Sequence, residues 1–202
     1  MNITLDSYYK VRTELFEKIQ NSNTLEKTAL VILMACLTGL ASQIFIPLPW
    51  TPVPVTAQTF AVLVSGLILG KKLGPLSQIV YIGVGALGIP WYGEMTGGLD
   101  ILLGSTGGYF IGFVLASFFI GYLSEKYSNS RKFKTMFPIM LIANFACIYI
   151  PGLIVLSIWY SMNVGVLPDI WTLLMMGLIP FIIGDIFKTA LAAFVSKIAL
   201  PK

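Results

Sequence analysis

Two charged residues inside the last apolar stretch of the chain are the strongest candidates for chemistry. Asp185 and Lys188 stand three residues apart in the string GLIPFIIGDIFKTALAA, so a helix would place them on one face. A charge inside a bilayer costs about 2.5–3.5 kcal/mol on insertion scales, and such residues usually mark functional sites. Pro180 precedes the pair and removes a backbone hydrogen bond, which frees carbonyl groups on the turn before it.

This pair allows two interpretations. In the first, Asp185 and Lys188 form an internal ion pair that fixes helix packing. In the second, which we favour, they form the polar floor of a ligand pocket. There the carboxylate accepts ligand N–H groups, and the ammonium donates to a carbonyl or a carboxylate. A proton relay is disfavoured, because no further acid or histidine in the apolar runs extends a path from Asp185.

The composition defines the class of protein that must hold this pair. Of the 202 residues, 56% are hydrophobic and 11% are charged, whereas a soluble globular domain has about 25% charged residues. A membrane-spanning helix needs about 20 apolar residues. The sequence therefore predicts an all-α integral membrane protein, with a cytoplasmic amphipathic segment over 1–27 and one transmembrane domain over 28–202. Its six predicted transmembrane helices lie at 28–46, 55–70, 74–91, 101–123, 136–160 and 171–196.

The 13 lysine and arginine residues predict the orientation in the membrane. With the N-terminus in the cytoplasm, every one of them except Lys188 lies in a cytoplasmic segment, as the positive-inside rule requires. The outer loops carry only the acids Glu94, Asp100 and Asp169. Both termini of this multi-pass protein are therefore expected on the cytoplasmic side of the cell membrane. The basic residues are expected to face anionic heads of the lipid bilayer, and no nucleic acid partner is predicted.

Other motifs give no support for an enzyme. The chain has no histidine, and Cys36 and Cys147 lie in apolar runs, so no metal site and no Ser–His catalysis are expected. GVGALG at 83–88 and GLILGKK at 66–72 resemble nucleotide-binding motifs. The first lies inside a predicted span, and the second lacks the P-loop spacing. No catalytic residue and no cofactor are predicted, and any ATP hydrolysis must come from another protein. An intramembrane enzyme with Asp185 as its base is disfavoured, since Lys188 is its only titratable partner.

Small residues predict how the helices pack. A stripe with one small residue every four positions lets another backbone approach closely, and we expect it to pack within the chain. A shorter patch on the first span, Ala35 and Gly39, is a candidate docking face for a partner protein. The stripe consists of Gly104, Gly108, Gly112 and Ala116.

Three strings, PVPVTAQTFAVL, TGGY and GDIFK, are similar to those of the BioY family of biotin transporters, and the similarity extends over most of the chain. BioY proteins are substrate-binding S components of energy-coupling factor transporters. The resemblance therefore implies a six-helix S-component fold that binds biotin near its outer face. It also implies a partner module, made of a transmembrane coupling protein and two cytoplasmic ATPases.

The resemblance further implies which residues contact the substrate. Asp185 and Lys188 match the family's Asp-x-x-Lys, in agreement with the choice made from the residues alone. Asp185 is expected to accept a ureido N–H, while Lys188 either donates to the ureido carbonyl or pairs with the biotin carboxylate. The string PLPWTPVP is expected to act as a lid. The other expected substrate-binding residues are Gln58, Trp91, Tyr92, Gly97, Gly98, Thr106 and Tyr109.

Several of these residues have a purely structural alternative. Gln58 could bond to the loop at the end of its helix, and Trp91 and Tyr92 could belong to an interfacial aromatic belt. Gly97 and Gly98 could serve only a tight turn.

The chain also departs from the family's pattern. It carries Glu94 and Asp100 where the family loop is commonly small and apolar, and Ser105 where proline is usual. Its first-span patch is Ala35-x-x-x-Gly39 instead of the Ala-x-x-x-Ala that S components offer to the coupling protein. Two functional alternatives stay open: a solitary biotin importer, as a homo-oligomer, and an S component for another vitamin.

Overall fold

Long apolar runs must satisfy their backbone hydrogen bonds internally, and the computed structural model shows that this chain does so with helices. The structure describes residues 10–14, 17–19 and 21–200. Of the predicted amphipathic segment over 1–27, residues 10–14 and 17–19 are helical, and the rest up to residue 20 lies outside the described residues. The longer elements are α1 Thr24–Ser42, β1 Phe45–Ile46, β2 Val55–Thr56, α2 Gln58–Ala86, α3 Leu99–Leu102, α4 Gly107–Lys126, α5 Phe133–Ile142, α6 Tyr149–Val164, α7 Ile170–Gly177 and α8 Ile182–Ala199.

Local sequence signals account for several helix ends. Asn23 accepts a hydrogen bond from the Glu26 amide (2.9 Å), and the Glu26 side chain bonds back to the Asn23 amide, so α1 begins at a capping box. Helix α6 ends at Gly165, whose φ of 84° suits a residue without a Cβ atom. Asp169 then caps α7 by accepting from the amide of Trp171 at 3.0 Å.

The helical membrane fold predicted from the sequence is confirmed. Five helical segments within the described residues are long and apolar enough to cross a membrane: Thr24–Ser42, Gln58–Ala86, Gly107–Lys126, Phe133–Val164 and Ile170–Ala199. The second and third predicted spans both fall in α2. The exact count of six crossings and the cytoplasmic position of both termini stay predictions.

Helix α2 is interrupted at Gly70, where φ is 77° and the backbone leaves the helical region. Side chains on either side of this break contact each other across the fold. Gln58 Nε2 donates to the Tyr81 hydroxyl at 2.8 Å, and Gln78 Nε2 donates to Ser65 Oγ at 3.0 Å. The segments before and after Gly70 therefore lie antiparallel, so the chain reverses here, at the end of the second predicted span.

Helix α4 lies between α2 and the α6 side of the protein, and its small-residue stripe makes this possible. A Cβ atom on Gly108 would overlap the Pro151 carbonyl, and one on Gly112 would overlap the Ile148 backbone. Ala116 is fully buried. The prediction that this stripe packs within the chain is confirmed for these positions.

A β-hairpin joins α1 to α2 on the side of the protein that carries the candidate site. Its strands β1 and β2 pair antiparallel, in the register Phe45↔Thr56 and Ile46↔Val55. Thr51, in the loop between them, donates a 2.6 Å hydrogen bond to the Met176 carbonyl at the end of α7. Pro180 lacks the N–H that would bond to Met176 in a continuous helix. The predicted free carbonyl is therefore that of Met176, and it accepts its hydrogen bond from the hairpin.

Candidate functional site

A cavity of about 390 Å³ lies between the β-hairpin, the loop before α4, and helices α4, α6 and α8. This volume is within the range of small-molecule sites, about 300–1,000 Å³. Two of its lining residues, Glu94 and Asp100, are exposed and mark its mouth, whereas Asp185, at 1% exposure, marks its buried end. The apolar walls between them are formed by Tyr92, Tyr109, Phe110, Phe113, Ile148, Tyr149, Trp159 and Phe181.

Asp185 is held by hydrogen bonds from three other parts of the chain. Its Oδ2 accepts from Asn144 Nδ2 at 2.7 Å and from the Tyr149 hydroxyl at 2.6 Å. Its Oδ1 accepts from Lys188 Nζ and, at a longer 3.4 Å, from Thr59 Oγ1. Asp185 thus accepts from four neighbours, and its one weakly occupied position is on Oδ1.

Lys188 connects the buried carboxylate to the hairpin. Its Nζ pairs with Asp185 and donates to the Thr56 carbonyl on β2 at 2.7 Å. An ammonium has three N–H donors, and these two contacts use two of them. The side chain is 15% exposed and lines the cavity. One donor on Lys188 therefore lies close to the weakly occupied acceptor on Asp185.

Sequence reasoning missed Asn144 and Tyr149, although both bind the key carboxylate. A π-helical turn, Ala143–Ile148, ends just before Tyr149 and includes Asn144. Such turns widen a helix locally and often occur at functional sites. The sequence contains one signal, an amide side chain inside a long apolar run. The structure shows this residue, Asn144, fully buried.

Four further predicted residues, Gln58, Tyr92, Thr106 and Tyr109, do line the cavity. Gln58 is buried; its amide donates to the Tyr81 hydroxyl at 2.8 Å and accepts from Thr56 Oγ1 at 2.9 Å. The Tyr109 hydroxyl donates to the Gly177 carbonyl at 2.8 Å. Both residues are therefore held in place by the protein itself.

Tyr92 presents its ring to the cavity and its hydroxyl to the protein. The hydroxyl donates to the Ile82 carbonyl at 2.6 Å, and the ring stacks on Phe110 with a centroid separation of 4.9 Å. Burial raises the pKa of Tyr92 to about 12, so the phenol stays neutral. A Cβ atom on Gly85 would overlap this ring, which gives the GVGALG motif a packing role.

Trp91, Gly97 and Gly98 do not lie among the lining residues. The indole N–H of Trp91 donates to the Tyr81 carbonyl at 2.9 Å. A Cβ atom on Gly97 would overlap the Ile89 carbonyl, and Gly98 has a φ of 111°. These residues support the cavity wall from behind, which favours the tight-turn alternative for the two glycines.

The patch on the first span does not form an open face. Ala35 is fully buried, and a Cβ atom on Gly39 would meet the Trp91 side chain at 3.3 Å. At Gly39 the lack of a side chain lets α1 lie close to Trp91 of the outer loop. Docking of a partner on Ala35 and Gly39 stays a prediction.

The three acids of the outer loops fall into two environments. Glu94 and Asp100 line the cavity mouth, and we call these two residues the acidic rim. Asp169 lies outside the cavity, where hydrogen bonds from the Thr172 side chain and amide hold its pKa below the usual range.

An apolar cavity with a hydrogen-bonded charged floor, set in a bundle of membrane-length helices, defines a substrate-binding membrane protein. The family model described as the BioY family matches residues 14–201. The chain is 49% identical over 138 residues to a probable biotin transporter BioY of Methanothermobacter thermautotrophicus, which covers 68% of this chain and 88% of that relative. It is 36% identical over 155 residues to a biotin transporter BioY of Thermotoga maritima, covering 75% of this chain and 83% of that one.

A solved structure has the same fold. The crystal structure at 2.1 Å of the S-component for biotin from an ECF-type ABC transporter superposes with a TM-score of 0.75 at 25% identity, and covers 88% of this chain and 92% of that chain. The chain belongs to the BioY family. It is a multi-pass transport protein of the cell membrane with the S-component fold, and not an enzyme, as the sequence predicted.

Proposed function

We propose that this chain binds biotin from the outer side of the membrane and is the substrate-specific subunit of an energy-coupling factor transporter. The observation that carries the proposal is the Asp185–Lys188 pair at the buried end of an apolar cavity, in a chain of the BioY family. The names of the relatives, biotin transporters, support the choice of substrate.

The ureido ring of biotin suits the floor of this cavity. It has two N–H donors and one carbonyl acceptor, and the floor has the complementary groups. A ureido N–H replaces the long 3.4 Å contact from Thr59 on Asp185 Oδ1. The third N–H of Lys188 then donates to the ureido carbonyl, since its other two N–H groups are taken by Asp185 and Thr56. A hydrogen bond to a charged group contributes about 1.5–3 kcal/mol.

The remaining atoms of biotin suit the walls. Its sulfur-containing ring and aliphatic tail are apolar, and the rings of Tyr92, Tyr109 and Phe113 face the cavity between floor and mouth. Gln58 and Thr106 supply polar atoms beside them. The hairpin loop, which includes Pro52 among the lining residues, closes over the ligand as a lid.

The energy for uptake comes from other proteins in this proposal. The two nucleotide-like motifs do not lie in a nucleotide-binding setting. In GLILGKK, Gly66 lies inside α2 and Gly70 lies at its break, and both pack against α4. A transmembrane coupling protein and two cytoplasmic ATPases are the proposed partners, and they reorient the loaded subunit in the membrane. The solved S component, which comes from an ECF-type ABC transporter, supports this assignment.

Uptake of labelled biotin by cells that lack their own biotin transporter tests the proposal. We expect uptake when the chain is produced together with a coupling protein and its ATPases, and loss of uptake when the ATPases carry an inactivating substitution. Uptake that persists at the same rate without the coupling protein would identify a solitary importer in its place.

A further inference from the structure

Thr59 is the neighbour of Asp185 whose hydrogen bond is incomplete. Its Oγ1 lies 3.4 Å from Asp185 Oδ1, whereas an O–H···O hydrogen bond is usually about 2.5–3.0 Å long. This is the only hydrogen bond of the Thr59 side chain within the described part of the chain, although the residue lines the cavity. The hydroxyl therefore keeps a proton that it can donate to a bound ligand.

The corner between β2 and α2 holds Thr59 in this position. The Ala57 amide donates to the Ala41 carbonyl of α1 at 3.2 Å, and Thr56 Oγ1 donates to Gln58 Oε1 at 2.9 Å. The three residues before Thr59 are therefore anchored by hydrogen bonds. Because the corner is already ordered, a ligand can use the Thr59 hydroxyl without the entropic cost of fixing the backbone first.

The same corner also orients Lys188, whose Nζ donates to the Thr56 carbonyl at 2.7 Å. Two donors therefore lie at Asp185 Oδ1, the Lys188 ammonium and the Thr59 hydroxyl. In the proposed binding mode, Oδ1 accepts a ureido N–H. The ureido carbonyl lies beside that N–H on the same edge of the ring, so it comes close to both donors. A carbonyl oxygen has two lone pairs and can accept from both.

We propose that the Thr59 hydroxyl turns from Asp185 to the ureido carbonyl when biotin binds, and that it is the second donor to this oxygen besides Lys188. This inference rests on the proposed function and names a residue that determines specificity in the same site. Thr59 then selects for an oxygen acceptor at this position of the ligand. An analogue with a weaker acceptor there gains little from the hydroxyl, because the hydrogen bond it forms is weak.

The affinities of biotin and of 2′-thiobiotin for the purified chain in detergent test this inference. In 2′-thiobiotin sulfur replaces the ureido oxygen, and sulfur accepts hydrogen bonds more weakly than oxygen does. Thr59→Val removes the hydroxyl and keeps the branched shape of the side chain. We expect it to raise the Kd for biotin about 3- to 10-fold and the Kd for 2′-thiobiotin less than about two-fold. Thr59→Ser, which keeps a hydroxyl, should keep the preference for biotin.

Thr96→Val is the matched control. Thr96 also lines the cavity, but its hydroxyl donates to the Gly93 carbonyl of its own loop. The ratio of the two Kd values should therefore stay that of the unaltered chain. Binding is measured below the Tm of each variant, and Thr59→Ala takes the place of Thr59→Val if the valine variant does not fold.

Two results would overturn the inference. An unchanged Kd for biotin in Thr59→Val, or an equal rise in Kd for both ligands, would show that the hydroxyl does not donate to the ureido oxygen, and would leave the proposed function intact. Failure of the folded, unaltered chain to bind either ligand would remove the proposed function, and the inference with it.

Discussion

Replacing Asp185 with asparagine tests whether the charged floor binds the ligand or only fixes packing. The carboxylate accepts from Asn144 and Tyr149 on one oxygen, and from Lys188 and Thr59 on the other. An amide has one acceptor oxygen and one donor NH₂ group. If the NH₂ group replaces Oδ1, it faces the Lys188 ammonium, which can only donate; if it replaces Oδ2, the Asn144 amide and the Tyr149 hydroxyl must turn to accept from it. In either orientation the ligand loses a charged acceptor.

The magnitude follows from these contacts. Loss of a hydrogen bond from the ligand to a charged acceptor costs about 1.5–3 kcal/mol, which raises the Kd for biotin roughly 10- to 150-fold. Breaking a buried ion pair costs about 3–5 kcal/mol of folding free energy. Lys188 is 15% exposed and keeps its bond to the Thr56 carbonyl, so we expect the lower end of that range.

Calorimetric titration with biotin in detergent measures the change in Kd, and thermal unfolding without ligand measures the loss of folding stability. Titrations are run below the Tm of the variant, so that reduced stability does not imitate lost binding. Asp169→Asn controls for the same chemical change at an exposed acid outside the cavity. Unchanged biotin affinity in Asp185→Asn, with a lower Tm, would refute the binding role and leave the pair as a structural ion pair.

Three further predictions follow from single contacts. Tyr149→Phe removes one donor to Asp185 while keeping the ring. It should make the free energy of biotin binding less favourable and lower that of unfolding, by about 1.5–3 kcal/mol each, measured by titration and by Tm. Thr51→Val removes the bond that ties the hairpin to α7, and should speed biotin dissociation in a chase experiment; an unchanged rate would argue against a lid. Gly108→Ala should lower the Tm by overlap with a backbone carbonyl, whereas Gly184→Ala, which has open space, should not; equal Tm values would contradict the packing of α4.

Composition and charge pattern predicted a membrane protein, because the lipid bilayer selects for apolar helices and flanking lysines whatever the tertiary packing. Runs of apolar residues and lysines between them suffice to locate helical segments. The position of each chain reversal was harder to predict. The chain reverses at Gly70, the last residue of the second predicted span, because a residue without a Cβ atom tolerates its φ of 77°; the sequence alone did not show which residue makes the turn.

The site was predictable where its chemistry is local. Asp185 and Lys188 are one helical turn apart, so their spacing alone places them together. Asn144 and Tyr149 contact Asp185 across 41 and 36 residues of sequence, and only tertiary packing, in which α8 lies against α5 and α2, brings them there. Trp91 lies next to a lining residue in sequence yet turns its indole to Tyr81, because the loop directs successive side chains to different sides.

Biotin binding by the purified chain, measured beside desthiobiotin, riboflavin and thiamine, shows whether the chain is a biotin-binding subunit. We predict that the chain alone binds biotin selectively. Desthiobiotin should also bind, since it keeps the ureido group that the Asp185–Lys188 floor recognises, and riboflavin and thiamine should not. Binding of riboflavin or thiamine in place of biotin would contradict the assigned substrate, and a folded chain that binds none of the four would contradict the transport function itself.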